Sequence, residues 1–230
     1  MIDIHSHVLP FVDDGSTTLK ASLEMIKTEV EFGVTDLFLT PHFMKTRNYL
    51  STYDNNLKVF EDFKKEVQKA GYKINLHLGN EIYYTIDSMR FLKNKMIKPM
   101  GNSNLVLVEF SMSEAEEDIA DAIHNLKAAG YVPIIAHPER YSYLSNIDDY
   151  ELIKKMGAYI QVNAHSIVGK YGPSIQKLCM KLIRIGLVDF IASDVHEFRS
   201  NYLKEAFNII NKKFGETTAN KLFNNSLILN

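Results

Sequence analysis

The chain has 230 residues, 46% hydrophobic and 23% charged, with a formal net charge of -2 and a pI of about 6.4. That balance, with Lys and Arg dispersed along the chain, excludes the basic stripe of a nucleic-acid binder, and the one cysteine, Cys179, excludes an internal disulfide. No apolar stretch reaches membrane-span length or follows a basic N-terminal region, so the protein is expected in the cytoplasm and not embedded in a membrane.

Residues 1–7 read as a short buried strand, and side-chain alternation predicts that His5 and His7 share one face. A cleaved leader would remove both, so the N-terminus is expected to stay intact. Asp13-Asp14-Gly15 forms a turn. Leu19, Leu23, Ile26 and Val30 mark a helix over 17–32 that Gly33 ends. A strand over 34–40 leads to Pro41-His42, and an amphipathic helix spans 53–70. The strand over 73–80 delivers Glu81, a helix follows over about 85–95, and the strand over 104–108 delivers Glu109. A helix over 113–129 precedes a strand over 131–136 that ends at His137. Helix 148–156, strand 158–162 ending at Asn163, helix 174–185 and strand 187–193 ending at Asp194-Val195-His196 complete the series. Helical stretches over 202–214 and 217–223 close the chain.

Seven apolar strands alternating with helices predict a parallel sheet, either open and doubly wound or closed as a distorted TIM-like (β/α)7 barrel over a single domain, 1–230. The placement of the polar residues favours the barrel. His7, His42, Glu81, Glu109, His137, Asn163, Asp194 and His196 all fall at or just past a strand's C-terminal end, the edge that carries chemistry in parallel α/β folds. In a barrel these ends surround one mouth. Imidazoles and carboxylates without a thiolate suit Mn, Fe or Zn, and more than four donors imply more than one ion. Other histidines fit less well: His77 should lie lower in the barrel as a core residue, His124 on a solvated helix face, and His165 near the mouth as a substrate contact. Cys179 and Arg184 are too close for a Cys-x5-Arg phosphatase loop and share an apolar helical pattern, so Cys179 is read as packing.

The motifs Asp3-Ile4-His5-Ser6-His7, Asp13-Asp14-Gly15, Pro41-His42, Gly79-Asn80-Glu81, Glu109-Phe110-Ser111, His137-Pro138-Glu139-Arg140 and Ser193-Asp194-Val195-His196 resemble the polymerase-and-histidinol-phosphatase (PHP) superfamily. More narrowly, they resemble the bacterial protein-tyrosine phosphatases of capsule and exopolysaccharide clusters, the CpsB/YwqE type, over the whole chain. The resemblance implies two to three divalent ions, Mn first with Fe or Zn possible. One ion would be held by His5, His7, Glu81 and Asp194, a second by Glu81, Glu109 and His137, and a third by Asp14, His42 and His196. Asp14 is preferred to Asp13 because it directly precedes glycine. Arg140 matches an arginine near the phosphate, and Arg199 comes earlier after Asp-x-His than the family's second arginine. His42 and His196 could assist catalysis. Phe43, Tyr83, Tyr84 and Tyr141 are candidates for holding an aromatic ring. The implied substrate is phosphotyrosine in a protein, such as the C-terminal tail of a bacterial tyrosine kinase. A histidinol-phosphatase-like small-molecule phosphoesterase, a metal-dependent amidohydrolase and a non-catalytic metal-binding docking module are the alternatives.

Overall fold

A computed structural model describes residues 1–144 and 146–229. In chain order it contains β1 (Ile2–Ser6), α1 (Leu19–Glu31), β2 (Asp36–Leu39), β3 (His42–Phe43), α2 (Tyr53–Lys69), β4 (Asn75–Leu78), β5 (Glu81–Tyr83), α3 (Ser88–Lys93) and β6 (Leu105–Glu109). Then come α4 (Ile119–Ala128), β7 (Val132–Ala136), α5 (Ile147–Lys155), β8 (Tyr159–Asn163), α6 (Ala164–Ile167), α7 (Pro173–Arg184), β9 (Phe190–Ala192), α8 (Leu203–Phe214) and α9 (Glu216–Phe223). All the strand pairings are parallel, in one sheet ordered β1-β2-β4 and a second ordered β3-β5-β6-β7-β8-β9.

The two sheets lie on one ring of strand lines. β2 and β3 are halves of one strand interrupted at Thr40-Pro41, and β4 and β5 are halves of another interrupted at Gly79-Asn80, so the first halves pair with each other and so do the second. Pro41 has no amide to donate to a ladder. A Cβ on Gly79 would meet Met100 Sδ at 2.8 Å. The Asn80 amide clamps both breaks, donating to Pro41 O (3.2 Å) and accepting from Lys98 N (3.3 Å). The ring closes between β9 and β1, where Asp194 N donates to His5 O (2.9 Å) and His7 N to Val195 O (3.0 Å). The result is a TIM-like (β/α)7 barrel, distorted at its two broken strands; an open sheet is excluded because β1 is bonded on both sides.

Alternation along the strands divides the core into two layers. Val106, Val108, Ile135 and Ile191 pack outward against helix residues such as Ile123, Leu126, Ile153 and Leu182, whereas Leu105, Leu107, Ile134, Ala136, Phe190 and Ala192 fill the barrel's interior with Ile2, Ile4 and Phe38. Each fully buried side chain of this kind contributes roughly 1.5–3 kcal/mol. Ile228 joins the interior cluster from the C-terminal turn Ser226–Leu229. The interior is therefore packed below and polar above. Strict alternation fails once: Ile4 belongs to the interior cluster, yet the neighbouring His5 also reaches inward to Gln161. The register of β1 against β2 shifts between Asp3 and Ser6, the kind of irregularity that re-aims a side chain.

Helix starts follow their caps. Thr18 accepts from Ala21 N (3.1 Å), and Asp118 accepts from Ala120 N (2.7 Å) and Asp121 N (3.0 Å). The cap at Asp118 is why α4 begins at Ile119 instead of near residue 113, and the segment before it forms part of the barrel's rim. None of the described helices is long and apolar enough to cross a membrane.

Candidate metal centre

Glu81 stands at the focus of the mouth. It is the first residue after the Gly79-Asn80 break, paired with His42 across the β3–β5 ladder, and it is fully buried. Its Oε2 lies 3.1 Å from His5 Nε2, 3.2 Å from His7 Nε2 and 2.9 Å from His42 Nδ1, and its Oε1 lies 3.1 Å from His137 Nε2. His5 Nε2 and His7 Nε2 are 3.2 Å apart. Asp194 Oδ1 sits 3.6 Å from each of those two nitrogens. Glu109 faces His137 Nε2 at 3.7 Å and His42 Nδ1 at 3.9 Å. On the outer side, Asp14 Oδ1 is 3.7 Å from His42 Nε2 and 3.6 Å from His196 Nε2. All nine metal-site residues expected from sequence thus meet in one cluster.

These separations match the edges of a coordination shell, since bonds of about 2.0–2.2 Å place neighbouring donors about 3–3.5 Å apart. Hydrogen bonding does not account for the arrangement. Asp14 Oδ1, His42 Nδ1, Glu81 Oε2, Glu109 Oε2 and His196 Nε2 are buried and lack an aligned partner among the described residues, although His42 Nδ1 and Glu81 Oε2 are only 2.9 Å apart. Buried polar atoms of this kind are costly unless something satisfies them. Charge gives the same answer. Burial opposes protonation of His5, but the Glu81 and Asp194 carboxylates outweigh it and push the imidazole up to about 9; burial, reinforced by Glu81, pushes Glu109 up to about 8. A bound cation would compensate these carboxylates without protons.

The supporting residues explain the rotamers. Asp13 is buried against His7, with Oδ2 2.7 Å from His7 Nδ1 and accepting from His42 N (2.9 Å), while Oδ1 accepts from Gly15 N (2.9 Å). Of the two aspartates, it is therefore Asp14 that presents an oxygen to the cluster and Asp13 that orients an imidazole. A second chain runs from His5 Nδ1 to Gln161 Oε1 (3.0 Å), from Gln161 Nε2 to Asn163 Oδ1 (2.8 Å) and from Asn163 Nδ2 to Asp194 Oδ2 (2.7 Å). Gln161 was not expected here; its two-residue offset from Asn163 within an apolar strand was the available signal. His137 and Asp194 have left-handed backbones, φ 35° and 49°, a local strain that clusters at functional sites.

A cavity of about 300 Å³ opens over the cluster, lined among others by Arg47, Tyr83, Ser111, Arg140 and Arg199. Arg140 Nη1 is 3.6 Å and Arg199 Nη1 3.1 Å from Asp194 Oδ2, so both guanidiniums reach the same edge of the site. Of the four aromatic candidates only Tyr83 lines the cavity. Phe43 packs on Phe91, Tyr84 is buried beside Phe110, and the Tyr141 hydroxyl accepts from Phe110 N (3.0 Å) and donates to Ala136 O (2.7 Å). His77 is a partly exposed residue stacked on Phe38 and 3.1 Å from Asp36, not an enclosed one. His124 is exposed, and His165 is buried between Tyr171 and Tyr202. Cys179 lies fully buried in α7, where burial pushes its thiol well above the usual range.

Fold and site together define a TIM-like barrel protein with a shared histidine–carboxylate centre at the C-terminal ends of its strands. The chain belongs to the family described as capsular polysaccharide synthesis, CpsB/CapC, whose model matches residues 1–229. It is 36% identical to the tyrosine-protein phosphatase CpsB of Streptococcus agalactiae over 231 residues, covering 97% of this chain and 95% of the relative. To the putative tyrosine-protein phosphatase CapC of Staphylococcus aureus it is 36% identical over 235 residues, covering 100% and 91%. Among solved structures it is similar, with a TM-score of 0.88 and 26% identity over 95% of this chain and 90% of the other, to one from work on YwqE of Bacillus subtilis and CpsB of Streptococcus pneumoniae, described as unique metal-dependent tyrosine phosphatases.

Proposed function

We propose that residues 1–230 form one catalytic domain, a metal-dependent protein-tyrosine phosphatase acting in the cytoplasm on a bacterial tyrosine kinase that controls capsular or exopolysaccharide synthesis. The observation that carries the reading is the convergence of five imidazoles and four carboxylates on shared points with buried, unsatisfied donor atoms, in a chain whose relatives are named tyrosine phosphatases.

Two to three divalent ions, Mn first, fit the donors. His7 has only Nε2 free because Asp13 engages Nδ1, and that Nε2 lies beside His5 Nε2; this supports His5, His7, Glu81 and Asp194 as one set. Glu109 and His137 would share Glu81 for a second. His42 Nε2 and His196 Nε2 both face Asp14, which supports the third. Bound there, the ions supply Lewis acidity toward a phosphoryl group and lower the pKa of water into the neutral range.

The chain's own groups do the rest. Arg140 and Arg199, already drawn to one carboxylate oxygen, are placed to receive phosphoryl oxygens and to stabilise charge as it builds on them. His42 and His196 line the cavity, and an imidazole nitrogen not engaged by metal can pass a proton to the departing phenolate. That phenolate, with a parent pKa of about 10, needs little help. Cys179 is buried in the helix layer and takes no part.

The test is hydrolysis of a phosphotyrosine peptide. Activity should vanish with chelator, return with added divalent ion and survive Cys179→Ser; activity that persists through chelation, or is lost in Cys179→Ser, contradicts the mechanism. Asp13→Asn keeps an acceptor for Gly15 N but removes the charge on His7 Nδ1. Metal affinity, measured by chelator competition, should fall about 10–100-fold; unchanged affinity would deny Asp13 its orienting role.

A further inference from the structure

The rim of the cavity carries charge of opposite sign on its two edges. After β3 the chain turns back on itself, with Met44 and Tyr49 exchanging backbone hydrogen bonds (2.9 and 3.0 Å) around Lys45–Arg47. This closed turn presents Arg47, whose side chain is 65% exposed and whose only acidic neighbour within 4 Å among the described residues is Asp14 Oδ2, 3.8 Å away. Tyr49 stacks parallel to His42 with ring centroids 5.9 Å apart, anchoring the turn to the site. Two strand positions on, the segment after β6 carries Glu114, Glu116 and Glu117. Glu116 accepts from the hydroxyl of Tyr83, which lines the cavity (2.9 Å), whereas Glu117 accepts from Ile86 N (3.2 Å) and lines a separate surface groove; neither carboxylate has a cationic partner among the described residues. Between the edges, the turn after β5 exposes Ile86, a large apolar residue left 75% accessible. Lys45 and Arg90 share the single carboxylate of Asp87 at 2.7 and 3.1 Å, which leaves one positive charge over on the side of Arg47.

Arg47 also differs from the two inner arginines. Arg140 and Arg199 are 20% and 27% exposed and turned toward Asp194, the depth a phosphoryl group would occupy. Arg47 lines the same cavity at its lip. A phosphotyrosine inserted to that depth leaves its peptide backbone and flanking side chains at the lip, where they meet Arg47 on one edge and, beside Tyr83, Glu116 on the other.

We propose that Arg47 and Glu116 read the charges flanking the phosphotyrosine, selecting peptides with an acidic side chain on one side and a basic one on the other, in one chain direction. The proposal rests on the phosphatase reading above and names the class of peptide that site takes. Complementary rim charges act on specificity and encounter more than on the chemical step, and the pairs are partly exposed, so the discrimination is modest.

The test uses two peptides of identical composition and net charge, Glu-Ala-pTyr-Ala-Lys and Lys-Ala-pTyr-Ala-Glu, with the metal-loaded full chain. Generic electrostatics cancel between them. One order should be preferred in kcat/KM by roughly fivefold, the scale of two partly exposed ion pairs. Arg47→Glu should bring the ratio close to one, Arg47→Lys should keep most of it, and Glu116→Lys combined with Arg47→Glu should favour the opposite order. Equal hydrolysis of the two peptides by the parent protein, or a preference untouched by Arg47→Glu, overturns the charged-rim proposal alone. Hydrolysis of neither peptide overturns the phosphatase reading and the proposal with it.

Discussion

Glu81→Gln is expected to reduce phosphatase activity by roughly 10³-fold and to strip the protein of most of its metal. Four imidazole nitrogens lie within 3.2 Å of the two carboxylate oxygens, more than face any other carboxylate among the described residues. The amide keeps the shape but not the chemistry: one oxygen becomes an NH2 group, which cannot ligate, and the negative charge is lost. The side chain is fully buried, so bulk solvent screens the lost charge poorly. Because the Gly79-Asn80 break is held by the Asn80 side chain and by the Glu81 backbone amide, neither of which the substitution changes, the circular dichroism spectrum should stay native. Normal metal content by mass spectrometry, with activity within tenfold of the parent protein, would remove Glu81 from the centre.

Gly15→Ala is expected to be nearly as damaging to activity, through the fold. A Cβ at this position would lie 2.1 Å from His7 O and 2.3 Å from His7 Cβ, contacts that only a backbone shift can relieve. His7 N is itself bonded to Val195 O where the barrel closes, so the shift must either open the β1–β9 seam or push the 10–16 loop outward. The first costs ladder hydrogen bonds. The second removes Asp13 from His7 and Asp14 from His42 and His196 together. Overpacking of this severity costs about 3 kcal/mol or more, which for a chain of this size lowers Tm by roughly 6–12 °C. A melting temperature within 2 °C or so of the parent, with unchanged metal affinity, would show that the loop yields without moving the site.

Gly15 illustrates which parts of the site could be read from sequence. The turn at Asp13-Asp14-Gly15 was visible, but not that glycine is required there because β1 passes directly beneath it. The convergence of the cluster was legible because parallel strands bring their C-terminal ends together by topology, so His42, Glu81, Glu109, His137 and Asp194 needed only to be located at strand ends. The roles of Asp13 and Asp14 were not legible in the same way. They differ by which way a loop folds back, and the hydrogen bond from His42 N that fixes Asp13 crosses 29 residues.

The broken strands were missed for a related reason. Residues 34–40 and 73–80 each read as one strand leading to a single polar end, and the interruptions at Pro41 and Gly79 serve a tertiary purpose. They set His42 and Glu81 opposite each other across β3 and β5. Aromatic residues near the mouth were ambiguous because one position in a strand or turn decides whether a ring faces the cavity or the helices. Tyr83 faces the first and Tyr84 the second. Gln161 escaped notice because a lone amide inside an apolar strand gives no sign of its partner, here His5 at the far end of the chain.

Anomalous diffraction from crystals of the manganese-loaded protein tests the central claim most directly. Two to three peaks are expected around Glu81, one within bonding distance of His5 and His7, one beside Glu109 and His137, and, where a third is present, one among Asp14, His42 and His196. Metal-loaded crystals with no peak within coordinating distance of Glu81 would contradict it.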